Sequence, residues 1–277
     1  MSVIYSIGAT AAITLGVFIP VWAILNNFAK RRDRRPEVLP PRAERVLILG
    51  ASSGIGRTLA HRYAERGAKV CAVAQWHGLD TLIVAAGVSA LRPVLEIAGV
   101  EGPSVTQPGL DGIRRVEDVA MAAIKGNYLG PLLSVVTMIP LMRSTSISPS
   151  VLLISSLGAV IPAPTRAIYG SSKAAAYILY QALSIEHPSV NFSHVLPSTV
   201  EGNFRASAVD GGLVREADPN QSGLKREAVA KRCIRAIDER EKIVFVPAFF
   251  RFAQLLSWIW PSYLERKAAE KYHFTPT

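Results

Sequence analysis

At 277 residues, 49% of them apolar, the chain is long enough for one sizeable α/β domain or, at a stretch, two small ones. Its formal charge of +10 is concentrated in one block, Lys30, Arg31, Arg32, Arg34 and Arg35, with Arg42 and Arg45 close behind. No later cluster interleaves cations with aromatics, which argues against nucleic-acid binding and for a membrane surface. Two lone cysteines, Cys71 and Cys233, suggest a reducing compartment and no metal site.

From Val3 to Ala29 no residue is charged, and the run is about as long as a bilayer-spanning helix requires. A cleavable signal peptide is the competing reading, but the segment lacks a basic n-region and its apolar run is too long for an h-region. A retained anchor kinked at Pro20 is therefore expected, and the basic block after it places the following domain in the cytosol. The chain divides into an anchor at 1–29, a basic linker at 30–45 stiffened by Pro36, Pro40 and Pro41, a folded domain at 46–247 and an amphipathic extension at 248–277.

Val46 to Leu49 reads as a strand that opens into Gly50-Ala51-Ser52-Ser53-Gly54-Ile55-Gly56, with a helical pattern from Arg57 to Arg66 behind it. Such glycines let the backbone approach a pyrophosphate, whose charge suits the amides at a helix N-terminus. The spacing is GxxxGxG, and a glycine-rich turn alone is commonly only a turn. The strand before it and the helix after it are what point to a nucleotide. Gly67 closes the helix, and Lys69 to Ala74 reads as a second strand.

Leu91 to Gly112 is irregular, with Pro93, Pro103 and Pro108, and Val116 to Met142 alternates in the helical sense with Asn127 inside it. Val151 to Ile154 is a strand ending at Ser155 and Ser156, and a Pro-bearing loop then leads to Tyr169 and Lys173, four residues apart. That spacing puts both on one face of a helix over Tyr169 to Glu186. An ammonium beside a phenol favours the phenolate, so the tyrosine can serve as an acid or base. A serine hydroxyl at the mouth of the strand could hold the carbonyl oxygen that the tyrosine protonates.

These segments together resemble the short-chain dehydrogenase/reductase family: GASSGIG at Gly50 to Gly56, Ala85-Ala86-Gly87 after a strand, Asn127, Ser156, and Tyr169-Gly-Ser-Ser-Lys173, in the family's order and spacing. The resemblance covers roughly Val46 to Val246. It implies a Rossmann-like, doubly wound parallel sheet. It also implies that Ser156 orients a substrate carbonyl, Tyr169 transfers the proton, Lys173 tunes the tyrosine and holds the nicotinamide ribose, and Asn127 supports a proton relay through water. Gly50, Ser52, Ser53, Gly54, Ile55, Gly56, Ala85, Ala86, Gly87, Pro197 and Thr199 would line the cofactor with the dyad. Anchored members of the family often act on lipophilic ketones such as steroids or long-chain acyl and sphingoid compounds, and the endoplasmic reticulum membrane is the expected location. A homodimer is also compatible.

Three departures stand out. Val84-Ala85-Ala86-Gly87 lacks the asparagine that the family usually places beside the cofactor, and Ser198 replaces a usual glycine. More seriously, only Gln75 to Asp80 lie between the second strand and the next. Parallel strands need a crossover of about a dozen residues, so the family's third strand and its flanking helices, some forty residues by family comparison, are absent after Gln75. No counterpart is found for the acidic residue that ends that strand near the adenine. Arg57 could meet a 2′-phosphate, which inclines the reading to NADP, with NAD as the alternative.

Glu201 to Gly223 suits a mobile lid or an ordinary surface loop. Glu227 to Arg240 reads as a basic helix, Ile243 to Val246 as a last strand, and Lys267 to Thr277 as a charged tail. The aromatics of Ala248 to Trp260 suit a helix lying in a membrane interface, or burial against the domain or a second copy. The leading expectation is a membrane-anchored, nicotinamide-dependent enzyme interconverting a carbonyl and a secondary alcohol. Its rival is a non-catalytic membrane protein that cannot hold the adenosine half of a cofactor. A nucleotide-sugar epimerase is disfavoured because no large C-terminal substrate domain follows.

Overall fold

The computed structural model describes residues 34–70, 77–100, 107–206, 208–215 and 217–275. The expected anchor, most of the basic block, Cys71, and the expected strand residues beyond Val70 lie outside the described residues. Among those described, six strands form one parallel sheet in the order β2-β1-β3-β4-β5-β6. They are β1 (Arg45–Leu49), β2 (Lys69–Val70), β3 (Thr81–Val84), β4 (Ser150–Ile154), β5 (Asn191–Pro197) and β6 (Ile243–Val246). The side chains of β3 and β4 are buried along their whole length, as expected of parallel strands covered on both faces.

Helices flank the sheet on both sides. On one side α2 (Gly54–Glu65) and α8 (Arg226–Asp238) pack Leu59, Tyr63, Val229, Ala230 and Cys233 against Val46, Ile48, Leu152 and Val195. On the other, α5 (Gly130–Thr145) and α6 (Ala167–Glu186) pack Val135, Ile139, Met142, Ala176 and Tyr180 against Leu82, Val84, Val151 and Phe192. Burial pushes the Cys233 thiol up to about 12, so it behaves as a small core side chain rather than a nucleophile. The remaining helices are α1 (Arg35–Val38), α3 (Val94–Ile97), α4 (Leu110–Ile124), α7 (Pro219–Ser222), α9 (Phe250–Ile259) and α10 (Pro261–Lys271).

The connection after β2 has a simple geometry. Val46 of β1 has Val70 as its partner on one side and Thr81 on the other. The described β2 thus sits at the N-terminal end of β1. No strand lies outside β2 among the described residues, in agreement with the missing third strand.

The segment expected to be a linker is instead part of the fold near that end of the sheet. Arg35 is buried, donating from Nη1 to Glu44 Oε1 at 2.5 Å, from Nη2 to Thr81 Oγ1 at 2.7 Å and to the Asp80 carbonyl at 3.2 Å, and from Nε to the Ser148 carbonyl at 3.0 Å. Arg66 approaches the other Glu44 oxygen at 3.3 Å. Beside this cluster Arg45 grips Asp80 through two nitrogens, at 2.7 and 2.9 Å. Burial raises the Asp80 carboxyl, but the hydrogen bonds from Arg45 and Ser146 outweigh it and leave it below the usual range. The expected charged tail is also corrected, since α10 is helical as far as Lys271.

One described helix, Leu110–Thr145, is long and apolar enough to cross a membrane by length and composition. Its inward face belongs to the core just described, and it is a helix of the domain. Replacing Arg35 with methionine removes the nearer cation from the buried Glu44 carboxylate and leaves it Arg66 and Thr81, a change that costs up to roughly 3–5 kcal/mol. Chemical denaturation of Arg35→Met should show that loss, and adding Glu44→Leu should recover much of it. A wild-type-like midpoint for the single variant would show that the cluster does not hold this end of the sheet.

Candidate active site

A cavity of about 930 Å³ opens at the C-terminal ends of β1, β3, β4 and β5, the edge at which ligands meet doubly wound sheets. Its floor at β1 is the glycine turn. Gly50 and Gly54 adopt positive φ, +88° and +55°, which a side chain would strain. A Cβ on Gly56 would lie 2.2 Å from the Gly50 carbonyl oxygen, so α2 begins pressed against the turn. Nothing lies within 4 Å of where a Gly54 Cβ would point, leaving that face of the turn open. Ser52 and Ser53 are exposed at its rim. An open turn of glycines ahead of a twelve-residue helix fits a phosphate.

The opposite wall carries the dyad. Tyr169 and Lys173 lie in α6, both buried. The lysine Nζ donates to the carbonyl of Ile154, the last residue of β4, at 3.3 Å. Burial lowers the pKa of the Lys173 ammonium, and the neighbouring Tyr169 works against that shift. Ser156 follows the end of β4 and caps a helical turn at Leu157–Ala159, its Oγ accepting from the Gly158 amide at 3.1 Å. A Cβ on Gly158 would lie 3.6 Å from Ser156 Oγ and 3.7 Å from the Tyr169 ring. Ser156 and the Tyr169 ring thus both border the space beside Gly158. Ser155 continues the sheet, its amide donating to the Val195 carbonyl at 2.9 Å.

Asn127 is buried behind the cavity rather than lining it. It lies in a π-helical turn, Lys125–Leu129, between α4 and α5; such turns recur at functional sites. Its Oδ1 accepts from the Val88 amide at 2.8 Å, and its Nδ2 donates to the Val88 carbonyl and to Ser172 Oγ, each at 3.0 Å. Ser172 Oγ in turn donates to the Tyr169 carbonyl at 2.8 Å. A Cβ on Gly87 would lie 2.8 Å from both Asn127 Oδ1 and Lys173 Nζ. Glycine at 87 therefore permits the amide and the ammonium to approach the end of β3 together.

Gly50, Ser52, Ser53, Gly54, Ile55, Gly56, Ala85, Ala86, Gly87, Ser156, Tyr169, Lys173, Pro197 and Thr199 all line this one cavity. Sequence reasoning missed Arg166. Its guanidinium donates to Ser89 Oγ and to the Ala90 carbonyl, both at 2.9 Å, and lies 4.1 Å from the Tyr169 ring centroid. Phe204 meets the same ring edge-on at 6.1 Å. An arginine ahead of the helix carries no periodic signal that could have marked it. Of the stretch expected to form a lid or an ordinary surface loop, Glu201 to Ala206 line the cavity. The stretch is tied down further on, where the Leu91 and Arg92 amides donate to Asp210 at 2.6 and 2.8 Å.

Comparison with known proteins gives this arrangement a family. The short chain dehydrogenase family model matches residues 72–211. The chain belongs to the short-chain dehydrogenase family. An 11-beta-hydroxysteroid dehydrogenase-like protein 4A of Arabidopsis thaliana is 27% identical over 252 residues, covering 80% of this chain and 82% of its own. An 11-beta-hydroxysteroid dehydrogenase A of Sesamum indicum is 24% identical over 255 residues, with 79% and 73% covered. Among solved structures, a short-chain dehydrogenase/reductase of Burkholderia phymatum in complex with NAD aligns with a TM-score of 0.63 at 17% identity, covering 84% of this chain and 96% of that one. A short-chain dehydrogenase of Burkholderia cenocepacia in complex with NADP gives 0.62 at 19%, covering 81% and 96%.

The buried ammonium carries a stability cost with a definite sign. A lysine whose folded-state pKa is lowered binds fewer protons than the unfolded chain, so stability rises with pH between the lowered value and 10.5. Lys173→Met should abolish turnover, raise stability at pH 7 by roughly 0.5–2 kcal/mol and flatten that rise, as read by thermal unfolding across pH. A variant less stable than wild type would assign the lysine a net structural role.

Proposed function

We propose that this short-chain dehydrogenase interconverts a carbonyl and a secondary alcohol on a lipophilic substrate, with NADP or NAD as the hydride partner. The supporting observation is that Ser156, Tyr169 and Lys173 line the same cavity as the glycine turn. A reduced nicotinamide supplies hydride to the carbonyl carbon when bound. The glycine turn and Thr199 hold that group, and Ser156 donates to the carbonyl oxygen. Tyr169 delivers the proton there. Lys173, one turn along the helix, and Arg166 over the ring place positive charge beside the proton donor. Asn127 fixes the helix that carries the dyad through Ser172 and supports proton resupply. Arg57, exposed in the first turn of α2, favours NADP.

Membrane attachment and an apolar substrate rest on three supports. The uncharged run Val3 to Ala29 is followed by the basic block. In α9 and just beyond, Phe252, Leu255, Trp258, Ile259 and Trp260 are exposed rather than buried against the domain, an amphipathic pattern suited to a lipid interface. The plant relatives are named for a hydroxysteroid. An endoplasmic reticulum location with the domain facing the cytosol follows from the anchor and the positive block. Exposed Leu133, Val136, Ile178 and Ile185 on α5 and α6 support pairing with a second copy.

Reduction of a panel of lipophilic ketones, followed by nicotinamide absorbance with the full chain in detergent, tests the reading. Tyr169→Phe should lower kcat/KM by about 10²–10⁴ and leave nicotinamide binding intact. Undiminished turnover in that variant would remove Tyr169 from the chemistry. The non-catalytic reading draws on the shortened sheet and predicts no turnover by the wild type.

A further inference from the structure

A Rossmann sheet binds a dinucleotide with two mononucleotide-binding halves that meet at β1. Here the halves are unequal. On the β3 side, four strands and their helices supply the ends of β3, β4 and β5, and through them Gly87, Ser156 and Pro197, to the cavity. On the β2 side the described pairing ends at Val46↔Val70, while the next strand begins at Thr81, which also pairs with Val46. In the sequence ten residues, 71–80, lie between Val70 and Thr81. A strand with its crossover helix needs about a dozen residues or more even between adjacent positions. Among the described residues no strand lies outside β2 to form the outer wall against which an adenosine would be buried.

The phosphate cradle and everything on the dyad side are nevertheless complete. Gly56 is packed against Gly50, the open face at Gly54 is retained, and Lys173 and Asn127 converge on Gly87. We infer that the site is one for a nicotinamide mononucleotide unit: a nicotinamide, its ribose and the phosphate on the glycine turn, with the adenosine half of a dinucleotide contributing little to binding. This rests on the nicotinamide reading above and narrows it. Any preference that Arg57 confers for a 2′-phosphate is correspondingly small.

The full chain in detergent is titrated with reduced nicotinamide mononucleotide, NADH and NADPH, and binding is read from the change in nicotinamide fluorescence, without any substrate. The expected result is saturable binding of all three, with dissociation constants within about tenfold of one another. A separate titration with adenosine 2′,5′-bisphosphate should fail to displace the mononucleotide at millimolar concentration. Either dinucleotide binding more than tenfold tighter than the mononucleotide, or displacement by the adenosine bisphosphate, overturns the inference and leaves the oxidoreductase reading in place. Binding of none of the three overturns both.

Discussion

The Lys173 ammonium reaches from the buried face of α6 to the carbonyl of Ile154, where β4 ends. Helix α6 is thereby joined to the sheet just before Ser156, and Tyr169 lies one turn back along the same helix. Burying an ammonium is unfavourable unless something nearby requires the charge. The group beside it here is the phenol of Tyr169. The Gly87 position then becomes intelligible, because a methyl group there would lie 2.8 Å from both Asn127 Oδ1 and Lys173 Nζ.

Two clusters of polar groups divide the work at opposite ends of the sheet. At the C-terminal ends Asn127 bonds Ser172, Ser172 bonds the Tyr169 carbonyl, and Arg166 lies over the Tyr169 ring. At the N-terminal ends, Arg35, Glu44, Arg66, Arg45 and Asp80 bind the lead-in segment to β1 and β3. This second cluster matters in a chain whose first sheet half is short. Since β2 offers β1 only a brief described partner, the ion pairs bring further chain against that end of the sheet.

Much of this was legible in the sequence because each motif sits at a change of period. Val46 to Leu49 followed by the glycine turn, and Val151 to Ile154 followed by two serines, mark strand ends by the abrupt loss of apolar residues. Tyr169 and Lys173 declare their common face by spacing alone. The absent strand was readable by counting. Arg35 was misread because a cation within a basic, proline-rich run looks solvated, and its partners lie far along the chain at Thr81 and Ser148. Arg166 left no signal for the same reason: its contacts with Ser89 and Ala90 are long-range. The helix beyond Pro261 was hidden by its charge, which suits an exposed helix as well as a tail.

The central claim is that this chain moves a hydride between a nicotinamide and a carbonyl carbon at the Ser156–Tyr169–Lys173 site. The most direct measurement is mass spectrometry of the alcohol formed from a lipophilic ketone when the full chain is supplied with a reduced nicotinamide deuterated at C4. The account predicts one deuterium on the carbinol carbon, from one face of the nicotinamide only. An alcohol without label, or no alcohol from any ketone despite saturable nicotinamide binding, would contradict it.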